Sequence, residues 1–201
     1  LGMYGIPTVK EVLLSPEAVA SLERAPLSFP LAIKIDSPDL PHKTEAGAVR
    51  LDIRNLDELR LAAREMADSV RTHGSSVRID GILLQEMAVG VEVIIGALND
   101  RCFGPVVAFG LGGIFAEVLK DVTYRFAPFD IAAAKAMIGE ISGKAILGGF
   151  RGQPRFDIDA LADALSRVSL LIADYDDVIA EIDINPLFVG PAGCGVLAAD
   201  A

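Results

Sequence analysis

Apolar residues recur along the first third of the chain with two different spacings. An apolar run at residues 31–35 and an alternating stretch at residues 48–53 predict two strands, with a polar, turn-rich loop between them. The start signal Ser15-Pro16-Glu17 predicts a short helix to about Arg24. Helical spacing predicts a longer helix behind the cap residue Asn55. We therefore expect a small lobe of strands and helices over about residues 1–77.

The remainder of the chain consists mainly of short apolar stretches and contains two further helices. Its predicted strands are residues 79–87, 91–98, 104–109, 114–119, 123–126, 177–184 and 195–199. Helices capped by Asp130 and Asp157 interrupt this series, and Asn99-Asp100 is expected to form a hairpin turn. This order predicts an α+β fold with mostly antiparallel sheets and flanking helices, in which residues 78–201 form the larger lobe.

Composition and charge exclude several classes of protein. Hydrophobic residues make up 52% of the 201-residue chain, which excludes disorder, and the longest apolar run is shorter than the ~20 residues of a membrane-spanning helix. The 18 basic and 28 acidic residues give a net charge of −10 without a basic block. We therefore expect neither a nucleic-acid partner nor a membrane partner.

The cysteines indicate the cellular compartment of the protein, and the chain ends indicate whether the sequence is part of a longer protein. Cys102 and Cys194, together with the lack of a secretory start, predict a reduced, cytoplasmic protein whose thiols are free and buried. The first residues do not look like a translation start, and the last lie within an apolar run. We expect residues 1–201 to be a single domain excised from a larger multidomain protein.

Lys34 and His42 are the chemically notable residues of the small lobe. Lys34 lies inside an apolar strand, where an ammonium group is costly unless it is paired, faces a cleft that uses its charge, or snorkels from a sheet edge. His42 lies in a polar loop and is either a surface histidine without a role or an imidazole suited to nucleophilic transfer. The local pattern leaves these alternatives open.

Polar residues near the end of the chain suggest a cation site. Glu181, Asp183 and Asn185 alternate with isoleucines, so their side chains share one face of a strand. Hard oxygen ligands of this kind suit Mg²⁺, although an amphipathic edge strand has the same pattern. Asp200, after the next apolar strand, is a further candidate ligand, and Pro186 is expected to end the strand before it.

A glycine run at residues 110–113 follows an apolar strand. Its amides could approach an anion closely, or the run could form a tight turn, and it matches neither the dinucleotide-binding motif nor the P-loop. Arg125, shortly after it, either contacts a phosphate or pairs with a surface acid.

Six short motifs are spread in order over nearly the whole chain. They are Tyr4-Gly5-Ile6-Pro7, the segment from Lys34 to Glu45, Gln85-Glu86-Met87, Phe103-Gly104-Pro105-Val106-Val107, Phe109-Gly110-Leu111-Gly112-Gly113 and Glu181-Ile182-Asp183-Ile184-Asn185-Pro186. Together they resemble the ATP-grasp domain of the NDP-forming (ADP-forming) acyl-CoA synthetases, the acetate–CoA ligase family. The resemblance implies an ATP-grasp fold, in which two lobes hold Mg-ATP between their sheets.

The resemblance also implies an activity and its partners. Members of this family are acid–thiol ligases that convert carboxylate, CoA and ATP to acyl-CoA, ADP and Pi, through an acyl phosphate and a phosphohistidine. The complete activity needs a CoA-binding domain and a ligase domain similar to the succinyl-CoA synthetase α subunit, on the same protein or on a partner subunit. The cofactors implied are ATP/ADP and Mg²⁺, and a homo-oligomer is left open.

Site residues follow from the same resemblance. His42 matches the loop histidine that carries phosphate between sites. The implied nucleotide contacts are Lys34 at the phosphates, Glu86 and Met87 at the adenine, and Glu92 at the nucleoside. The implied Mg²⁺ ligands are Asp183, Asn185 and Asp200. One departure is visible: where the family loop ends in Gly-Gly, this chain has Gly47 followed by Ala48.

Two other functions remain open at this point. Similar domains serve as regulatory nucleotide-binding modules in fused protein acetyltransferases, and a succinyl-CoA synthetase β-type subunit is a third alternative. The histidine loop, Ser-Pro-Asp-x-x-His-Lys-Thr, favours the acyl-CoA synthetase over the succinyl-CoA synthetase. The acyl substrate and the choice between ATP and GTP are not encoded in these residues.

Overall fold

Two compact units make up the chain. The computed structural model describes residues 1–39, 47–73, 77–113, 121–149 and 155–201. One unit is Val9–Met87, and the other combines Leu1–Thr8 with Ala88–Ala201. We expected the lobes to part near residue 77, but the boundary lies one strand later. That strand belongs to the smaller unit because it pairs with two strands of its sheet.

The smaller unit is a sheet backed by helices. Its elements are β1 (Glu11–Leu14), α1 (Pro16–Ala20), β2 (Leu31–Asp36), β3 (Val49–Ile53), α2 (Leu56–His73) and β4 (Gly81–Glu86). Among the described residues the strands are ordered β1-β4-β2-β3, and all three ladders are antiparallel. Strand β1 was not predicted, and α1 is shorter than expected. Ile33 and Ile35 of β2 pack with Leu59 and Met66 of α2 in the core of this unit.

The start of α2 is fixed locally, as its sequence predicts. The Asn55 side chain accepts a hydrogen bond from the main-chain N–H of Glu58 at 2.9 Å. The Glu58 carboxylate in turn accepts from the main-chain N–H of Arg54 at 2.8 Å. Two N–H groups that lack helical partners are thereby satisfied, in the manner of a capping box.

The larger unit is also a sheet packed against helices. Its elements are β5 (Val91–Asp100), β6 (Gly104–Leu111), β7 (Val122–Phe126), α3 (Ile131–Glu140), α4 (Lys144–Leu147), α5 (Ile158–Asp174), β8 (Glu181–Val189) and β9 (Val196–Ala198). Within the described residues the strand order is β7-β6-β5-β8-β9, again with antiparallel ladders. Val93, Ile95 and Phe109 pack with Met137 of α3 and Leu165 of α5. The opposite face of the sheet carries the polar residues considered below.

Several expectations for this unit need correction. Asn99 and Asp100 are not the hairpin turn, because they pair with Pro105 and Gly104, and the turn is residues 101–103. Helix α4 was not predicted, and the predicted strand at residues 114–119 lies outside the described residues. The two cysteines are free, as expected, but exposed rather than buried.

Strand β8 does not end at Pro186. It continues to Val189, and the register with β5 is irregular where Ile184 pairs with Ile95 and Leu187 with Val93. Proline has no N–H to donate, so it is tolerated at such an irregularity. The Pro186 carbonyl still accepts a hydrogen bond from the Ala199 N–H at 3.0 Å. The irregularity thus allows the strand to pass through the proline.

No helix among the described residues is long and apolar enough to cross a membrane.

Candidate functional site

The polar face of β8 forms the first part of the candidate site. Asp183 and Asn185 are exposed, whereas Ile184 between them is buried in the core of the larger unit. The expected alternation is therefore confirmed up to Asn185. Asp183 pairs with Gly96 of β5, which in turn pairs with Ala108 of β6. Since these two residues have little or no side chain, the sheet surface beside the Asp183 carboxylate stays open.

Asp200 is brought to the same place by β9. This strand pairs with the end of β8, where Leu187 lies opposite Ala198. Beyond the strand, the main-chain N–H of Asn185 donates a hydrogen bond to the Asp200 carbonyl at 3.1 Å. Asp200 is exposed, like Asp183 and Asn185. The main chain of Asp200 thus lies next to that of Asn185, two residues along β8 from Asp183.

This donor set fits a magnesium ion that also binds a ligand. Mg²⁺ is a hard cation that takes oxygen ligands and is commonly held by one or two carboxylates, with waters and substrate phosphates completing its shell. Asp183 and Asp200 would supply two carboxylates to such an ion, and Asn185 would supply an amide oxygen. Within the part of the chain that the structure describes, no three His, Cys, Asp or Glu side chains cluster as a metal-binding group. Two carboxylates and one amide leave positions for waters and phosphate oxygens, so this donor set suits a phosphate-bound Mg²⁺.

Lys34 lies in an interior strand of the smaller sheet. Strand β2 has β4 on one side and β3 on the other, with Lys34 opposite Leu83 and Val49. The sheet-edge alternative is therefore wrong. Ile33 and Ile35 are buried on the helix side, so the half-buried lysine lies on the opposite face of the sheet. An ammonium group in that position is suited to binding an anion.

Glu86 stabilises the chain around the end of β4. Its carboxylate accepts a hydrogen bond from the Ser28 N–H at 3.1 Å and lies 3.5 Å from the Lys10 ammonium group. The Ser28 N–H, aided by the Lys10 charge, lowers the pKa of Glu86 below its ordinary value. The carboxylate is thus engaged inside the smaller unit, which leaves the next residue as the better candidate for contacting a base.

Met87 is fixed by its main chain and by its sulfur. Its N–H donates to the Pro30 carbonyl at 3.3 Å, and its Sδ accepts from the Asp52 N–H at 3.2 Å. The side chain is nevertheless 37% exposed. A fixed and exposed thioether provides an apolar, polarisable surface of the kind that packs against aromatic rings.

Glu92 lies against the glycine run. The Gly112 N–H donates to the Glu92 carbonyl at 2.8 Å. A Cβ atom on Gly113, whose φ is +57°, would lie 2.9 Å from the Glu92 Oε2. A Cβ atom on Gly110 would lie 2.8 Å from the carbonyl oxygen of Asp121. The glycines therefore permit close approach to neighbouring chain segments, and Gly113 leaves room for the Glu92 carboxylate. The sequence alone did not predict this contact between Gly113 and Glu92.

Arg125 has a structural partner in the described structure. It lies on β7, at the edge of the larger sheet opposite to β9. One guanidinium nitrogen donates to the Glu140 carboxylate of α3, and another donates to the Tyr124 carbonyl at 2.8 Å. Of the two alternatives for this arginine, the structure shows the pairing with an acid.

His42 lies outside the described residues, but both ends of its loop are described. The Asp39 carboxylate accepts a hydrogen bond from the Arg78 N–H at 2.8 Å. At the other end, the Ala48 carbonyl accepts from the Ile35 N–H at 2.8 Å, and the Ala48 methyl is fully buried in the core. The departure from Gly-Gly at Ala48 thus places a methyl group in the core of the smaller unit.

Comparison with known proteins identifies the family. The ATP-grasp domain family matches residues 1–201. The β subunit of the ADP-forming acetate–CoA ligase II of Pyrococcus furiosus is 40% identical over 202 residues, which cover 100% of this chain and 86% of that protein. This chain is an ATP-grasp domain of the ADP-forming acyl-CoA synthetase family. The family expected from the six motifs is thereby confirmed.

Solved structures confirm the ATP-grasp fold. The dinucleotide-forming acetyl-coenzyme A synthetase 1 of Ca. Korarchaeum cryptofilum, in complex with coenzyme A, Ca-AMPCP and HgCl⁺, matches with a TM-score of 0.90 and 41% identity, over 99% of this chain and 86% of that chain. The same enzyme in complex with coenzyme A and Mg-AMPPCP, its phosphohistidine segment pointing towards the nucleotide-binding site, matches with a TM-score of 0.82 and 38% identity, over 99% and 85%. The expected α+β architecture and ligase class are thus confirmed, while the roles of single residues stay predictions.

Proposed function

We propose that this ATP-grasp domain binds a magnesium nucleotide and transfers its terminal phosphoryl group during ADP-forming acyl-CoA synthesis. The observation that supports the proposal is the main-chain bond from Asn185 to Asp200, which joins two exposed candidate ligands of the larger unit, with exposed Asp183 two residues away on β8. These residues would hold the ion through two carboxylate oxygens and one amide oxygen. Bound Mg²⁺ would neutralise charge on the nucleotide phosphates.

The chain's own residues would bind and orient the nucleotide. Lys34 would donate charge-assisted hydrogen bonds to phosphate oxygens, which explains an ammonium group in an interior strand. Met87 would pack against the adenine ring, with Glu86 holding the adjoining chain through Ser28. Glu92, for which Gly113 leaves room, would accept hydrogen bonds from the nucleoside.

The proposed reaction is a series of phosphoryl transfers followed by thioester formation. A histidine attacks the terminal phosphorus of ATP and releases ADP, and the phosphohistidine then phosphorylates the carboxylate. The CoA thiol displaces phosphate from the acyl phosphate, which forms acyl-CoA and Pi. We assign His42 to carrying phosphate, as the resemblance implies, and the CoA-binding and ligase domains to the acyl steps, on the same protein or a partner subunit. The naming of the Pyrococcus relative as a β subunit supports such a partner.

Calorimetry on the purified chain tests the nucleotide site. We expect wild-type protein to bind Mg-ATP, and Asp183→Asn to weaken binding about tenfold or more, because one charged metal ligand is lost. Asp177→Asn is the matched control, since it removes another exposed carboxylate that lies outside the proposed ligand set. The absence of wild-type binding, or equal affinities for the two variants, would contradict the proposal.

Phosphoryl transfer is tested separately with the complete enzyme. We expect His42→Asn to abolish transfer of phosphate from radiolabelled ATP to the ligase domain, while Mg-ATP affinity stays unchanged. The chain's other histidine serves as the control, because His73→Asn makes the same chemical change elsewhere. Normal transfer by His42→Asn would refute the assignment of His42 without affecting the metal site.

A further inference from the structure

We propose that residues 4–8, here called the N-terminal strap, position the metal ligand Asp200 by supporting the outer edge of β9. The inference rests on the metal site in the proposed function. The strap includes the Tyr4-Gly5-Ile6-Pro7 motif, for which neither the expected chemistry nor the nucleotide contacts provide a role. It belongs to the larger unit, like Asp200 itself.

The strap lies beside β9 and hydrogen-bonds to it. The Ala198 N–H donates to the Pro7 carbonyl at 2.9 Å, and Thr8 forms a parallel bridge with Ala198. β8 pairs with the other edge of this strand. Since β9 has only three residues, each edge contributes substantially to its position. Asp200 follows the last residue of the strand by two positions, so its placement depends on how firmly β9 is held.

Helix α5 holds the strap from the other side. The Tyr4 hydroxyl donates to the Asp174 carboxylate at 2.5 Å. The Arg167 guanidinium donates to the Tyr4 carbonyl at 2.9 Å and to the Asp163 carboxylate at 2.6 Å. The side chain of Ile6, between these contacts and β9, is 1% exposed and belongs to the core. A continuous set of contacts therefore runs from α5 through the strap to β9.

Gly5 is required where the strap passes Arg167. Its φ is +69°, a conformation that is costly for residues with a Cβ atom. A Cβ atom there would also lie 2.5 Å from the guanidinium nitrogen that bonds Tyr4. An alanine at this position must therefore displace the strap, the arginine or both.

Small displacements of a ligand matter for this particular ion. Mg²⁺ demands nearly octahedral geometry with short metal–oxygen distances. Residues that orient metal ligands affect metal affinity by about 10-fold to 100-fold when they are substituted. A loosened strap should therefore weaken the contribution of Mg²⁺ to nucleotide binding, while contacts that need no metal are retained.

The test measures the affinity of a non-hydrolysable ATP analogue by calorimetry, in Mg²⁺ and in EDTA. We expect Gly5→Ala to lower the affinity in Mg²⁺ about tenfold and to leave the affinity in EDTA unchanged. Tyr4→Phe, which removes only the bond to Asp174, should cause a smaller loss of the same magnesium-dependent component. If Gly5→Ala does not fold, the milder variant Tyr4→Phe tests the inference by itself.

Thr123→Val is the matched control for Tyr4→Phe. It also deletes one hydroxyl hydrogen bond, from Thr123 to the Met137 carbonyl at 3.3 Å, on β7 at the opposite edge of the sheet. We expect the affinities of Thr123→Val for the ATP analogue, in Mg²⁺ and in EDTA, to equal those of wild-type protein. Equal losses in Mg²⁺ and EDTA for the strap variants, or wild-type affinities in both, would overturn the inference. If the wild-type chain itself gains no affinity from Mg²⁺, the proposed metal site fails, and the inference fails with it.

Discussion

The main-chain N–H of Asn185 donates a hydrogen bond to the main-chain carbonyl of Asp200 at 3.1 Å. This bond joins the middle of β8 to the residue that follows β9 by two positions. Because only main-chain atoms take part, side-chain substitutions at either residue leave the bond in place. The proposed metal ligands can therefore be substituted one at a time without removing this main-chain contact.

Asp200→Asn should weaken Mg-ATP binding about tenfold, because the ion loses one of two carboxylates. The melting temperature should stay close to that of the wild-type protein, since the side chain is exposed. Calorimetry on Asp200→Asn, Asp183→Asn and the double variant completes a double-mutant cycle. If the two carboxylates bind the same ion, their effects should be coupled rather than additive. Strict additivity would argue for two unrelated acids.

Lys34→Met should lower the affinity for ATP about tenfold or more and leave the fold intact. Methionine retains the apolar stem within the interior strand, whereas the hydrogen bonds to phosphate are lost. The loss should be larger for ATP than for adenosine, which has no phosphate. Lys135→Met is the control, since it removes an exposed ammonium group that pairs with Asp159 at 2.5 Å. Equal affinity of the Lys34 and Lys135 variants for ATP would contradict the role of Lys34.

Gly113→Ala should weaken nucleotide binding by displacing the Glu92 carboxylate. The added methyl group would lie 2.9 Å from Oε2, and the loss of one hydrogen bond to a charged group corresponds to about tenfold in affinity. Gly104→Ala is the control, because Gly104 also has a positive φ, of +75°, but an added Cβ atom meets nothing within 4 Å. Both variants should lose similar stability, and only Gly113→Ala should lose affinity. Matching affinities would show that Glu92 does not contact the nucleotide.

Asp157→Ala should destabilise the larger unit more than a simple cap substitution does. The Asp157 carboxylate accepts from the Ala160 N–H at the start of α5, and from the N–H groups of Gly193 and Gly195 in the β8–β9 connection. We expect a loss of about 2 kcal/mol at neutral pH, because several bonds to one charged group disappear. Asp130→Ala, which removes a single cap bond to Ala133, should cost about 1 kcal/mol.

The same carboxylate predicts a pH dependence. Hydrogen bonds from Gly195, Ala160 and Gly193 lower the pKa of Asp157 in the folded protein, the Gly195 bond most of all. Its contribution is therefore complete above the unfolded-state pKa of about 4 and disappears as the pH falls through the lower folded-state pKa. Denaturant titrations of wild-type protein and Asp157→Ala should converge in acid. A stability difference that stays constant from neutral pH to below the folded-state pKa would contradict this account.

Local sequence signals predicted the parts of the fold that neighbouring residues determine. Asn55, Asp130 and Asp157 each accept the expected bond at a helix start, because a cap acts only on N–H groups two or three positions away. The exposed face of Asp183 and Asn185 likewise follows from the two-residue period of a strand. The sequence predicted the hairpin turn at Asn99-Asp100, two positions before its actual start at residue 101. No composition signal marks where the pairing of β5 with β6 stops.

The sequence by itself determined most of the element types, although not β1 or α4, together with the helix caps, the polar face of β8 and, through its motifs, the family. Only the tertiary structure decided which distant residues come into contact. It places Lys34 in an interior strand, bonds Glu86 to Ser28, pairs Arg125 with Glu140, and brings Asp200 beside Asn185. The physical reason is that periodicity specifies which face a side chain occupies, but strand neighbours and register depend on the packing of the whole unit.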